Sequence, residues 1–217
     1  MTEMSMKNRR DADLMIDILS NIIEFRNGES GWHVQHIRIL TALLLRRLTE
    51  LTDRYSLTEE DVARISMASA LHDIGKIAIS SEILNKPGRL KAEEFSVVKD
   101  HAMIGANMLR ELPIPMDEPL MRSAYEICRW HHERWDGSGY PDGLKGDECP
   151  ISAQAVAMAD VYDALTTDRV YKKAMPYEAA AQLILDGKSG AFNPLLLESL
   201  DNIAALLPGE LEEAAGI

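Results

Sequence analysis

The pattern of apolar residues predicts an all-α fold, a single-domain helical bundle interrupted by one long ordered loop. Three observations carry that expectation. Apolar side chains recur at three- and four-residue steps in one segment after another. No stretch alternates with period two for long enough to make a sheet. One Gly- and Asp-rich run, Trp135 to Pro150, is too long for a turn and too polar for a core.

The elements follow in order. Residues 1–13 are expected to form a flexible lead and 208–217 a tail, leaving 14–207 as one domain. Leu14, Ile18, Ile22 and Phe25 repeat at helical spacing, and Asn27-Gly28-Glu29-Ser30-Gly31 breaks that helix. A second helix begins near His33 and carries Val34, Ile37, Leu40, Leu44 and Leu48 on one face, so Glu29 and His33 flank its N-terminus. Thr58-Glu59-Glu60-Asp61 resembles a capping box with Asp in place of the usual Glu. The helix it opens runs through Val62, Ile65 and Ala68 into His72. Lys76 to Leu90 is a connector with Pro87-Gly88 as its turn signal. Ala92 to Leu109 is helical with Val98, His101, Gly105 and Met108 on one stripe, so His101 faces the core; Pro113 and Pro115 end that region. Leu120, Ala124, Ile127 and His131 share the stripe of the next helix. Ser152 is placed to cap another, in which Val156 and Asp160 stand four apart. Pro176 opens a helix through Leu183, and Asn193-Pro194 opens a last one that ends near Leu207.

Composition narrows the function classes. At 217 residues the chain can bury a real core, and 46% hydrophobic with 27% charged residues is ordinary globular usage. A net charge of −12 argues against a sequence-independent grip on DNA or RNA, which needs a basic face. It leaves room for a small anionic ligand held by a metal and a few basic residues. Cys128 and Cys149 show no paired spacing and read as free thiols in a reducing cytoplasm. No apolar run approaches the ~20 residues of a membrane span, and the polar N-terminus lacks the apolar core of a signal peptide.

Chemistry concentrates around Leu71-His72-Asp73-Ile74-Gly75-Lys76, where His and Asp stand side by side at the end of an apolar helical segment. Both could ligate a metal if the backbone turns there; Gly75 permits a sharp turn, and Lys76 could meet a phosphate. Alone the pair is weak evidence. Five of the six histidines, however, fall at metal-competent points: His33, His72, His101, His131 and His132, joined by Glu29, Asp73 and Asp160. The points from His72 to His101, to His131 and to Asp160 lie about thirty residues apart, roughly one helix plus a loop. Helices packed side by side would bring such points together inside a bundle. Each has a plain alternative: a core histidine bonded to a carbonyl for His101, a first-turn acid for Glu29, a solvated pair for His131-His132. Buried together without a metal, the set would cost heavily in desolvation. Mixed nitrogen and oxygen donors suit Fe, Mn or Zn, and the missing thiolates argue against a structural zinc knuckle.

These residues and their neighbours resemble the HD-GYP family, a branch of the HD superfamily of metal-dependent phosphohydrolases. Glu29-Ser30-Gly31-Trp32-His33 is similar to its E-T-G-x-H block and Leu71 to Lys76 to its HD-x-G-K block. Lys86-Pro87-Gly88, Lys99-Asp100-His101 and Ile104-Gly105 follow the next blocks. His131 to Pro141, reading HHERWDGSGYP, resembles the signature loop. Asp160 to Thr166 and Arg169-Val170-Tyr171-Lys172 close the pattern, with Val170 where Pro is usual. The resemblance implies an HD-type helical fold and a centre of two or three divalent ions, Fe or Mn first, with Zn, Mg, Ni or Co as further candidates. It implies hydrolysis of cyclic di-GMP to pGpG and/or GMP by attack of a metal-bridging hydroxide. The alternatives are another cyclic dinucleotide such as cyclic GMP-AMP as substrate, or a non-catalytic sensing or adaptor module.

Carried over by position, the ligands would be His33, His72, Asp73, His101, His131, His132 and Asp160, with Glu29 at a third ion. Asp73 would bridge the metals, and Lys76 would stabilise charge on the phosphate. Arg169 and Lys172 would contact substrate, and Gly137, Gly139, Tyr140 and Pro141 would shape the pocket rim. Expected partners are the cyclic dinucleotide, a regulatory domain or protein acting through the GYP loop, and a second copy in a homodimer, with no nucleic-acid polymer and no membrane span. Three departures stand out. His36 occupies a place where Arg is common and reads as a helix-face residue, the alternative being an extra group behind the ligands. Ile79-Ser80-Ser81 replaces Ile-Pro-Asp, and Phe192-Asn193-Pro194 replaces Phe-Asp-Pro.

Overall fold

The apolar stripe of the second helix becomes the spine of the molecule. In the computed structural model, which describes residues 3–28, 31–168 and 173–215 (side chains from 13 to 214), Val34, Ile37, Leu40, Leu44 and Leu48 of α2 (His33–Leu51) are all buried. Each buried Leu or Ile contributes about 1.5–3 kcal/mol relative to an exposed one. Against this spine pack α3 (Glu59–Ser69), α7 (Ile151–Thr166) and α9 (Pro194–Ile203). α5 (Ala92–Arg110) and α6 (Pro119–Trp130) pair with each other, and α6 also lies against α3 and α7. The described elements are completed by α1 (Glu3–Arg26), the short α4 (Ser81–Leu84), α8 (Tyr177–Leu185), α10 (Leu207–Ala215) and two 3-10 segments, Ile74–Ala78 and Gly146–Glu148. All are helical, as the periodicity predicts; no helix among the described residues is long and apolar enough to cross a membrane.

Local chemistry explains most boundaries. The box before α3 closes both ways: Asp61 N–H donates to Thr58 Oγ1 (3.2 Å) and Thr58 N–H to Asp61 Oδ2 (2.9 Å). Pro119 opens α6 at a position with no backbone donor to lose, and the Glu118 carboxylate accepts from Met121 N–H at 3.0 Å. α7 is rich in alanine and buried on nearly every side, which lets neighbouring helices approach it closely. Asn193 caps α9 by accepting from Leu195 N–H at 2.9 Å.

Four expectations change. α1 begins at Glu3, so helix runs through most of the segment expected to be a lead. The last expected helix is two, with a turn after Ile203; α10 carries the chain into the expected tail and buries Leu207 and Leu211. Ser152 does not cap α7. Pro150 occupies the cap with no side-chain bond, and Ser152 Oγ donates to Glu126 at 2.9 Å instead. Gly75 is needed for close approach rather than for a turn. A Cβ there would lie 1.9 Å from the His101 carbonyl and 2.6 Å from Gly105 N, so a glycine lets the Ile74–Ala78 segment sit directly on α5.

Candidate metal centre

Six side chains converge where the ends of α2, α3 and α6 meet the middle of α5. His33 is the first residue of α2; His72 and Asp73 leave the turn after α3; His131 and His132 follow α6; His101 comes from within α5. Tight turns hold the α3 exit, with His72 N–H donating to Ser69 O (3.1 Å) and Ile74 N–H to Leu71 O (3.1 Å). His33, His72, Asp73, His101 and His131 are buried, and His132 is partly so. They fall into two groups with mutually close donor atoms, His33–His72–Asp73 and Asp73–His101–His131–His132, and Asp73 belongs to both.

Hydrogen bonds fix which nitrogen each ring presents. The Nδ1 of His72, His101 and His131 faces a backbone carbonyl, that of Ser69 (3.0 Å), Val98 (2.6 Å) and Ile127 (2.9 Å) respectively. A carbonyl only accepts, so each Nδ1 carries the proton and each neutral ring presents an Nε2 lone pair. Those Nε2 atoms meet: His33 to His72 at 3.4 Å and His101 to His131 at 3.4 Å. Asp73 Oδ1, 3.0 Å from His101 Nε2 and 3.8 Å from His131 Nε2, is buried with no hydrogen-bond partner. Lone pairs pointed at one another and at an orphaned carboxylate oxygen repel unless a cation lies among them. Imidazoles that donate their second N–H to carbonyls are also the usual form of metal-bound histidine. The residues present therefore fit divalent metal.

The charges agree. Without an ion a proton takes the cation's place on His72: burial opposes a charge there, yet the Asp73 and Asp160 carboxylates outweigh it and lift its pKa to about 9. Burial and the neighbouring His72 charge push His131 down to about 3. Burial would raise Asp73, but Lys76 and His72 hold it well below the usual carboxylate range. Lys76 Nζ lies 2.5 Å from Asp73 Oδ2. Asp160, partly exposed on α7, stands outside both groups; burial would raise its pKa, and the His72 and His33 charges hold it down.

The structure adds four residues that the sequence reading did not pick out for a role. Asp163, one turn beyond Asp160, accepts from His33 Nδ1 and from His36 Nδ1, both at 2.7 Å, and from Thr167 Oγ1 at 3.1 Å. His33 is thereby fixed with its Nε2 toward His72. His36 is part of this outer layer, which corrects its reading as a helix-face residue. Glu24 of α1 is buried beside the cluster; burial raises its pKa, opposed by Lys76 and reinforced by Asp73. Glu133 accepts from the backbone N–H groups of Asp142 (2.8 Å), Gly143 (3.0 Å) and Leu144 (3.1 Å).

That last carboxylate ties down the signature loop. Arg129 grips Asp142 through two bonds (2.7 and 3.0 Å), and Trp130 Nε1 donates to the same side chain at 2.7 Å. A Cβ on Gly139 would lie 2.3 Å from Glu133 Cα, so only glycine lets the loop fold back on the His131–Glu133 turn. Tyr140, next to Pro141, stacks on His132 with centroids 4.6 Å apart, and Lys99 lies over the Tyr140 ring at 5.6 Å. Gly137 turns the loop with φ +80. Of the site residues expected from sequence, Glu29, Arg169 and Lys172 lie outside the described residues.

The HD domain family model matches residues 17–194. A probable cyclic di-GMP phosphodiesterase of Vibrio cholerae is 40% identical over 194 residues, covering 88% of this chain and 44% of that protein. A 3'3'-cGAMP-specific phosphodiesterase of the same organism is 42% identical over 182 residues, covering 84% and 33%. A cyclic di-GMP phosphodiesterase of Thermotoga maritima is 37% identical over 185 residues, covering 85% and 47%. The chain thus spans less than half the length of these curated relatives. Among solved structures, a cyclic GMP-AMP-specific phosphodiesterase of V. cholerae superposes with TM-score 0.63 at 17% identity, covering 94% of this chain and 50% of that one. An HDG"Y"P protein of Bdellovibrio bacteriovorus gives 0.59 at 17%, covering 90% and 64%. At that identity the two structures speak to the fold.

Proposed function

We infer the activity from one premise: this chain belongs to the HD domain family, in its HD-GYP branch. On that premise it is a metal-dependent phosphodiesterase that opens cyclic di-GMP to pGpG and/or GMP. The observation that carries the reading is the double cluster, two sets of converging Nε2 atoms that share the Asp73 carboxylate. His33, His72 and Asp73 would hold one ion, with Asp160 at its edge, and Asp73, His101, His131 and His132 another. Fe or Mn suits such mixed donors; Glu29 would serve a third ion. Bound ions supply Lewis acidity and a water acidic enough to ionise near neutral pH.

The chain's own groups do the rest. Asp73, shared by both sets, fixes their spacing. Lys76 sets a positive charge at the cluster's edge, where a phosphoryl oxygen would gather negative charge. Tyr140 on His132 closes one side and keeps that imidazole turned inward. Arg169, Lys172 and Lys173 would meet the substrate phosphates, which lets a chain of net charge −12 accept an anion.

The test is incubation with Mn or Fe(II) and cyclic di-GMP under reducing conditions, followed by chromatography of the products. Linear pGpG or GMP is expected; its absence with every cyclic dinucleotide would sink the reading. Because one relative at 42% identity is named for 3'3'-cGAMP, that molecule belongs in the same panel, and preferential turnover of it would reassign the substrate. Tight binding without turnover would favour a sensing or adaptor role through the GYP loop.

A further inference from the structure

α1 shows an apolar face that its own chain leaves open. Leu14, Met15, Ile18, Leu19, Ile22 and Phe25 are 58, 57, 44, 50, 62 and 86% exposed. This is not a core face turned the wrong way, because the opposite side is the one that packs. Ser20, Ile23 and Glu24 are buried there, and Asp17 and Asp13 pair with Arg38 of α2 at 2.5 and 3.3 Å.

The open face has the register of a helix–helix seam. Met15, Ile18, Ile22 and Phe25 step by three, four and three, which places them at a and d of a heptad with Leu14 and Leu19 on the flanking g and e positions. Upstream the register meets Asn8 and Asp11, so the seam is confined to about two heptads. So short a seam would not hold free peptides, but here α1 is already anchored to a folded bundle. With Ile77, which is half exposed beside the end of α1, the side chains leave on the order of 750 Å² open. That exceeds the roughly 300–600 Å² patch of a typical monomer and approaches the ~800 Å² that each partner covers in a standard interface.

We propose that a second copy of this chain covers the face, α1 packing on α1 about a two-fold axis. The face is self-complementary: its central positions and the Leu14 and Leu19 flanks are apolar, the flanking Arg26 is turned onto the carbonyls of Lys76, Ile77 and Ile79, and Asp13 and Asp17 are paired with Arg38 within the chain. The seam also adjoins the metal centre. At its end, the Arg26 guanidinium donates to the carbonyls of Lys76 (3.1 Å), Ile77 (2.6 Å) and Ile79 (2.8 Å), so the helix that forms the seam also holds the segment that carries Lys76.

Sedimentation velocity on the 217-residue chain at micromolar concentration tests this, with a dimer expected. Ile22→Glu and Phe25→Glu should each raise the dimer dissociation constant at least about a hundredfold, since each places a charge in the middle or end of an apolar seam. Both side chains are exposed, so helical circular dichroism and metal content should stay at wild-type levels. As a control, Glu198→Leu on the exposed side of α9 should leave the dimer intact. A wild-type monomer throughout this concentration range overturns the proposal, and so does a dimer that persists in both Glu variants.

Discussion

Replacing Asp163 with asparagine isolates the outer layer of the centre from its ligands. The native carboxylate receives His33 Nδ1–H and His36 Nδ1–H, each at 2.7 Å, and is held well below the usual carboxylate pKa by those two bonds against the pull of burial. Asparagine is nearly the same size but brings an NH2 where one oxygen stood. One of the two histidines then faces a donor, and the relief open to it is the other tautomer. If His33 changes, its proton moves to Nε2, the atom 3.4 Å from His72 Nε2 that would bind metal. Loss of such an outer-layer partner costs about 10–100-fold in metal affinity, or roughly 1.4–2.7 kcal/mol. The assay is competition against a calibrated chelator, with metal content read by elemental analysis. His36→Arg is the paired control: a guanidinium can still donate to Asp163 Oδ1, so metal affinity should stay near wild type. In chelator-treated protein, Asp163 also carries pH information. Its pKa is depressed on folding, so its stabilising contribution is complete above the unfolded value near 4 and is lost as pH falls below it. The stability gap between wild type and Asp163→Asn should therefore narrow in acid. Metal affinity within twofold of wild type, with a gap independent of pH, would refute the assignment of His33 orientation to Asp163.

Three other outcomes follow. Asp73→Ala removes the one carboxylate common to both groups and should abolish turnover and most metal binding while circular dichroism stays helical; retained metal and activity would show the ligand assignment to be wrong. Gly75→Ala forces a methyl against the His101 carbonyl, and the resulting shift between the Ile74–Ala78 segment and α5 should cost about 1–3 kcal/mol by urea unfolding. Asp61→Ala breaks the α3 capping box and should cost about 1 kcal/mol at neutral pH; because Thr58 holds Asp61 down to about 2, that cost should fade between pH 4 and 2 as the wild-type carboxylate protonates.

The converging histidines and Asp73 are legible in the sequence because their residue types are rare where they occur. A histidine on an apolar stripe, as at His101, and a His-Asp pair at the end of an apolar helix both contradict the pattern around them, and contradictions are visible in one dimension. Asp163 was not, because a carboxylate one turn from Asp160 looks like any helical acid until α7 meets α2 across 130 residues. Glu133 was hidden for a similar reason: its three partners are backbone N–H groups, which no side-chain pattern marks. His36 read as a surface residue because period alone puts it on the flank of α2. For α1, spacing gave the helix but not its facing; the stripe of Leu14, Ile18, Ile22 and Phe25 is apolar and yet turned outward. The Ser152 cap failed because Pro150 already supplies the backbone conformation that starts α7.

The two halves of the cluster differ in how their geometry is made. His72, His101 and His131 each anchor Nδ1 on a carbonyl three or four residues earlier in the chain, at Ser69, Val98 and Ile127. Those rings are aimed by their own turns, before any helix docks on another. His33 is different: it opens α2, has no preceding helical turn to lean on, and takes its direction from Asp163 on α7. The Asp73–His101–His131–His132 group thus needs α5 and α6 to pair, whereas the His33–His72–Asp73 group needs α7 seated on α2 as well. Disturbance of the α2–α7 contact should accordingly loosen the His33 side first and leave the His101 side in place.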